Sequence, residues 1–257
     1  RPVVVVTGAS RGLGLAVTSA LLKQLNATVV AVSRTRTPEL TQLSDAHADS
    51  LKLVECSVAD EPAFAKAISD VQKTHGSIDG LVLNAGTLHP LGRVDAPSST
   101  LDAWKSHFDV NFFSLVTALK AALPALRASR FGGKVVFVSS GAAAGGVPGW
   151  GPYNASKAAM NSLTRGTDRT LAQEEPDIVS VAVRPGKVDT EMQATLREQG
   201  GAHMRAADHE SFVREHAEGR LVRPEDAGHV IAALALGAHP GLSGAFVSWD
   251  SAECSEY

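Results

Sequence analysis

With 257 residues and 24 Lys and Arg against 27 Asp and Glu, the chain carries a formal net charge of −3. It has no long run of one sign, which argues against nucleic acid or a membrane surface as a partner. Its apolar fraction of 44% and charged fraction of 20% are those of an ordinary globular chain, long enough for one α/β domain over residues 1–257.

Two cysteines, Cys56 and Cys254, cannot build a disulfide framework and form no C-x-x-C pair. Reduced thiols and a cytoplasmic location are the expectation. No apolar run approaches the roughly 18 residues of a membrane span. The opening RPVVVVTG has the pattern of a buried strand rather than of a signal peptide.

Taken in chain order, short β-branched runs recur at Val3–Val6, Thr28–Val32, Leu51–Glu55, Gly80–Leu83, Lys134–Val138, Ile178–Val183 and Ala245–Ser248. They are continuously apolar rather than alternating, as suits strands covered on both faces of a parallel sheet. Between them lie helix-patterned segments, Leu13–Leu25, Pro62–Thr74, Leu101–Arg130, Tyr153–Ala172 and Pro224–Leu236. The alternation predicts an open, doubly wound, seven-stranded α/β sheet. Residues 189–222 break the rhythm with a polar stretch between the last two strands, which reads as a substrate lid.

The first strand runs into TGASRGLGLAV, where Gly8, Gly12 and Gly14 open a helix. Glycines there let the backbone approach a pyrophosphate, and the helix N-terminus supplies N–H groups and a positive dipole end. Gly8, Ser10, Arg11, Gly12, Leu13 and Gly14 are thus the expected dinucleotide-binding loop. NAD sites commonly end the second strand in an acid that bonds the ribose 2′-hydroxyl. Here the strand ends in Ser33, Arg34 and Arg36. Guanidinium groups suit a phosphate, so Arg11 and Arg34 with Ser33 point to NADP(H).

Farther along come Asn84, Ala85 and Gly86 in LVLNAGTL, Asn111 in DVNFFS, Ser139 and Ser140 in VVFVSSG, and Tyr153 and Lys157 in GWGPYNASK. Residues four apart share a helix face, so the phenol and the ammonium can meet. A nearby ammonium and the helix N-terminus would both lower the phenol's pKa from its usual value near 10, making it a tuned proton donor.

In this order the motifs make the chain resemble the short-chain dehydrogenase/reductase family across essentially its full length. Within it the chain looks closest to the benzil reductase and sepiapterin reductase-like carbonyl reductases, a narrower likeness carried by VVFVSS, PGKVDTEMQ and GAFVSWD. The resemblance implies a Rossmann enzyme with Asn111, Ser140, Tyr153 and Lys157 as its catalytic set, Ser139 being the fallback for Ser140. It also implies cofactor contacts from Asn84, Ala85 and Gly86, from Lys157 to the nicotinamide ribose, and from Asn111 to a proton-relaying water. Val58 takes the place that frames adenine, although the residue before it is Ser57 where many relatives have an acid. Pro185 and Gly186 follow the sixth strand, where a ligand crevice opens. Val188 and Thr190 are expected at the nicotinamide carboxamide and diphosphate.

Trp150, Met192, Leu196 and Phe212 are candidate walls for an aromatic substrate, and Asp250 is a candidate partner for a polar heterocycle. His209, Glu210 and His216 lack the spacing of a zinc helix, so no metal is expected. The function expected is NADPH-dependent reduction of a ketone, α-diketone or aldehyde. A pterin carbonyl reductase and a non-catalytic NADP-binding regulator stand as alternatives. The family also pairs the helices that correspond to Phe112–Leu126 and Tyr153–Leu171 across a two-fold axis, so a homodimer or homotetramer is expected.

Overall fold

The computed structural model describes residues 1–165 and 170–257. Its strands are β1 (Val3–Thr7), β2 (Thr28–Ser33), β3 (Leu51–Glu55), β4 (Gly80–Leu83), β5 (Lys134–Val138), β6 (Val179–Arg184) and β7 (Phe246–Ser248). All pair in parallel, in the order β3-β2-β1-β4-β5-β6-β7. This is the doubly wound Rossmann arrangement, and the order reverses between β1 and β4, where a crevice opens beyond the strands' carboxyl ends.

The helices are α1 (Gly12–Lys23), α2 (Pro38–Ala46), α3 (Glu61–His75), α4 (Leu101–Phe108), α5 (Ser114–Arg127), α6 (Ala142–Gly145), α7 (Gly151–Arg165), α8 (Thr170–Glu174), α9 (Glu191–Gln199), α10 (Ala206–Ala217) and α11 (Pro224–Gly237). The expected helix Tyr153–Ala172 is thus described as α7 and α8, with residues 166–169 outside the described residues.

Successive side chains of a strand point to opposite faces, which explains the uninterrupted valines of β1. Val4 and Val6 pack with α1 and α11 residues such as Val17, Leu21, Ile231 and Leu234. Val3 and Val5 pack with Phe64 and Ile68 of α3 and Leu115 and Leu119 of α5. On the first face α1 and α11 meet closely, since a Cβ on Gly228 would stand 2.9 Å from Ala16 Cβ.

Three features depart from the pattern in the sequence. Helix α2 escapes the apolar periodicity, although it carries its own start signal: Thr37 caps it by accepting the Leu40 N–H at 3.2 Å, and Pro38 follows at the first position. The segment expected as one helix, Leu101–Arg130, ends at Arg127 and contains a π turn over Asp109–Phe113. By length and composition this 27-residue stretch suffices to cross a membrane, correcting the expectation that none does. Half of its most apolar window is buried, and it packs against α3. The polar stretch 189–222 lies where a lid was expected and is built from α9 and α10.

Candidate active site

β5 delivers two serines to the crevice, and the structure separates them. Ser139 is buried and donates from Oγ to Asn161 Oδ1 at 2.6 Å, which commits it to holding α7. Ser140 accepts the Ala142 N–H at 3.2 Å and is the side chain that opposes the rise in the Tyr153 phenol's pKa. The sequence favours Ser140 with Ser139 as the fallback; in the structure Ser139 is engaged by Asn161, and Ser140 is the one beside the phenol.

Helix α7 begins at Gly151, so Tyr153 sits in its first turn and Lys157 one turn on. Both are buried, at 8% and 3% exposure. Lys157 Nζ donates to Val138 O at 2.7 Å and lies 5.7 Å from the centroid of the Tyr153 ring. The electrostatics differ from the sequence expectation. Burial raises the phenol's pKa, and Ser140 opposes the rise without reversing it. Burial also pushes the Lys157 ammonium down to about 8. Desolvation disfavours whichever form is charged, and here it is the largest cause for both groups. The consequence is a phenol that keeps its proton at neutral pH.

Asn111 lies on the π turn, fully buried. Its Oδ1 accepts the Thr87 N–H at 2.8 Å and its Nδ2 donates to Thr87 O at 2.9 Å, so the amide clamps the loop after β4. A Cβ on Gly86 would stand 3.6 Å from Asn111 Oδ1 and 3.9 Å from Lys157 Nζ, so the three residues converge. Two members of this cluster, His107 and Ser156, lie outside the sequence expectation. His107 is buried, with Nε2 3.0 Å from Asn111 Nδ2 and 2.9 Å from Ser156 Oγ. The signal is present in the chain, since His107 and Asn111 stand four apart and Ser156 falls inside Y-x-x-x-K.

The glycine loop sits at the β1–β4 switch point. Gly8 and Gly12 have φ of +67° and +54°, a region that favours glycine. A Cβ on Gly14 would stand 2.1 Å from Gly8 O, which fixes how closely α1 follows the strand. Asn84 staples the N-A-G loop to this turn, donating from Nδ2 to Thr7 O at 3.0 Å and to Gly8 O at 3.2 Å. Ala85 N–H donates to Thr7 Oγ1 at 3.1 Å.

These residues fit a dinucleotide. No side chain caps the N-terminus of α1 and no acid lies in its first turn, leaving N–H groups for an anion. Leu13 and Val58 are largely packed into the core, Ser10 accepts Thr37 Oγ1 through its carbonyl at 2.6 Å, and Ser33 donates to Thr35 O at 2.9 Å. Arg11, expected to act with Arg34, pairs with Glu191 of α9, both side chains being exposed. Arg36 pairs with Glu55 at 3.5 Å, while Arg34 makes no ion pair among the described residues. Thr190 comes from the lid to the same loop, since a Cβ on Gly12 would meet its Cγ2 at 3.2 Å. Pro185 and Gly186 turn the chain out of β6, and Val188 bridges to Val222 across the lid's ends.

Around Tyr153, the side chains of Trp150, Leu88, Leu91, Leu196 and Met204 form one buried cluster with it, and Met192 and Phe212 pack against it. Trp150 stands edge-on to Tyr153 at 5.7 Å and 5.6 Å from Phe212. Lys187 Nζ lies 4.8 Å over the Phe212 ring and pairs with Glu215 at 3.0 Å, tying α10 down. His209 faces Arg197 O at 2.8 Å within the lid. Asp250, the candidate partner for a polar heterocycle, is exposed after β7, accepts Ser248 Oγ at 2.6 Å, and lies outside the apolar cluster around Tyr153.

The short chain dehydrogenase family model matches residues 2–201. The chain belongs to the short-chain dehydrogenase/reductase family. An uncharacterized oxidoreductase of Schizosaccharomyces pombe is 41% identical, covering 97% of this chain and 96% of its own. A Saccharomyces cerevisiae benzil reductase, described as (S)-benzoin forming, is 33% identical over 96% of this chain and 95% of its own. A crystal structure of a short-chain dehydrogenase/reductase from Saccharomyces cerevisiae superposes with a TM-score of 0.92 at 33% identity, covering 100% of this chain and 99% of the other. As a short-chain dehydrogenase/reductase, the chain carries the glycine loop, Asn111, Ser140, Tyr153 and Lys157 inside the matched residues. Phe212 and Asp250 lie beyond them.

Proposed function

We propose that this short-chain dehydrogenase/reductase is an NADPH-dependent carbonyl reductase acting on bulky aromatic ketones and α-diketones, with related aldehydes as further substrates. The observation that carries the proposal is the buried Tyr153 phenol, beside Ser140 and Lys157 and set in an apolar cluster of Trp150, Leu196, Met204 and Phe212. The benzil reductase relative supports the substrate class. The nicotinamide cofactor, when bound, supplies the hydride.

The remaining work belongs to the chain. The α1 N-terminus with Gly8, Ser10, Gly12 and Thr190 holds the diphosphate, and Arg34 with Ser33 holds the 2′-phosphate. Val58, Asn84, Ala85 and Gly86 line the adenine and ribose side, while Pro185, Gly186 and Val188 flank the nicotinamide. Lys157 binds the adjacent ribose. The Tyr153 hydroxyl gives its proton to the carbonyl oxygen as negative charge develops there, and Ser140 donates a hydrogen bond to the same oxygen. A phenol held protonated by burial is the form a reduction requires.

The test is NADPH consumption against a panel of carbonyls, with Tyr153→Phe beside the unmodified enzyme. Benzil and similar diketones should be turned over, while Tyr153→Phe should lose turnover and still bind NADPH. An inert panel, or a Tyr153→Phe enzyme with near-full activity, rejects the proposal. The same proposal includes a cytoplasmic location, in keeping with the unpaired Cys56 and Cys254. It also includes a homodimer or homotetramer built on the long helix, whose Leu101, Phe113 and Val116 are exposed at 70%, 53% and 37%.

A further inference from the structure

We propose that His107 is a positioning residue for this reaction: its neutral ring accepts a hydrogen bond from the Asn111 amide and holds that amide in register with Thr87 and Lys157. The inference deepens the reductase reading and rests on it. It starts from a buried histidine whose two ring nitrogens are both engaged. Nδ1 lies 2.8 Å from His89 O in the loop after β4. A carbonyl can only accept, so Nδ1 carries a proton in every charge state. Nε2 of the neutral ring is then a bare acceptor.

Asn111 supplies the matching donor. Its Oδ1 takes the Thr87 N–H, which fixes the orientation of the amide and leaves Nδ2 with two protons. One goes to Thr87 O at 2.9 Å and the other to His107 Nε2 at 3.0 Å. Ser156 Oγ lies 2.9 Å from the same nitrogen and 3.1 Å from Tyr153 O, so its single proton serves either acceptor. The network therefore joins α4, the π turn, the loop after β4 and the first turns of α7, and every polar atom in it has a partner.

A second proton on the ring would break that match. An Nε2–H would face the Asn111 amide donor to donor and would turn to Ser156 Oγ, 2.9 Å away, which can accept it while its own proton goes to Tyr153 O. Asn111 Nδ2 would then lose the ring as acceptor, keeping its bond to Thr87 O but giving up the contact that holds the amide against α4. The titratable groups facing the ring from α7 are Tyr153, with ring centroids 6.2 Å apart, and Lys157; from the loop after β4 it meets the His89 carbonyl. Burial and the Lys157 charge both oppose protonation, although the His89 hydrogen bond favours it, and the net direction is below the ordinary imidazole value of 6.5. Carbonyl reduction should accordingly fail on the acid side as His107 gains its proton.

The experiment compares His107→Gln and His107→Leu with the unmodified enzyme in benzil reduction between about pH 5 and 9, across the range where imidazoles titrate. Glutamine offers an acceptor near the Nε2 position but does not titrate. It should keep kcat within roughly threefold at neutral pH and lose the acid limb. Leucine leaves the Asn111 amide without its acceptor, and kcat should fall roughly tenfold at neutral pH with a smaller change in KM. An acid limb that persists in His107→Gln, or a His107→Leu enzyme with unchanged kcat, overturns the proposal.

A readout independent of turnover keeps the proposal testable if the leucine variant does not fold or the substrate class is wrong. In protein labelled with 15N at histidine and asparagine, His107 should show the Nδ1–H tautomer at neutral pH, and its titration should shift the Asn111 side-chain amide. An Asn111 amide that stays fixed while His107 titrates refutes the positioning role, whatever the enzyme reduces. An inert carbonyl panel with a shifting amide refutes the reductase reading alone.

Discussion

Replacing Lys157 by Met should make the protein more stable at neutral pH while it abolishes catalysis. The ammonium is 3% exposed, and burial lowers its pKa from 10.5 to about 8. Below pH 8 the folded and unfolded chains both carry the proton, so the fold bears the whole cost of burying that charge. The interval between the two values corresponds to about 3 kcal/mol.

Methionine has a similar length and no charge, but it leaves Val138 O without the donor that Lys157 provides at 2.7 Å. That loss offsets about 1–2 kcal/mol of the relief. The net gain at pH 7 should be about 1–2 kcal/mol, or roughly 2–8 °C in Tm for a chain of this size.

The pH dependence carries the decisive sign. Between about 8 and 10.5 the unfolded chain binds more protons at this site than the folded one, so the unmodified protein gains stability as pH rises through that window. The advantage of Lys157→Met should shrink across it and reverse near its upper end, where only the lost hydrogen bond remains. Urea midpoints of both proteins at intervals from pH 7 to 10 measure this directly. A gap that stays constant over that range, or a variant less stable at pH 7, would refute the reasoning that burial dominates the state of Lys157.

Three further outcomes are expected. Arg34→Asp should shift cofactor preference toward NADH by about one to two decades, the worth of a charge-assisted contact, as measured by kcat/KM with each cofactor; Arg11→Ala should matter less because Arg11 is already paired with Glu191. Ser140→Ala should lower kcat at nearly unchanged Tm, whereas Ser139→Ala, which leaves Asn161 without its donor, should lower Tm and spare kcat more. Gly14→Ala should destabilise the fold by about 1–3 kcal/mol in a thermal melt, since its Cβ would stand 2.1 Å from the Gly8 carbonyl oxygen and backbone would have to move.

The residues that define the chemistry are legible in the chain itself because they sit in local patterns. A phenol and an ammonium four apart on a helix, glycines between a strand and a helix, and continuous valine runs all report on neighbours a few positions away. Parallel pairing of all seven strands follows the same logic, since strands alternating with helices return in the same direction. Even helix α2 announces itself through Thr37 and Pro38, and only its short, polar pattern conceals it.

What the tertiary structure alone decided depends on groups distant in sequence meeting in one buried place. Ser139 meets Asn161, and Arg11 meets Glu191, 180 positions away. The Ser248 hydroxyl that Asp250 accepts is likewise a contact only the folded strand end shows. The direction of the Tyr153 shift could not be read from its spacing to Lys157, because spacing reports a neighbouring charge and not the desolvation that sets the direction. His107 shows both sides: its four-residue spacing from Asn111 is written in the chain, but its burial and its engaged nitrogens arise only when α4, α7 and the loop after β4 close around it. Local periodicity is a property of the chain, whereas desolvation and hydrogen-bond satisfaction are properties of the volume the fold encloses.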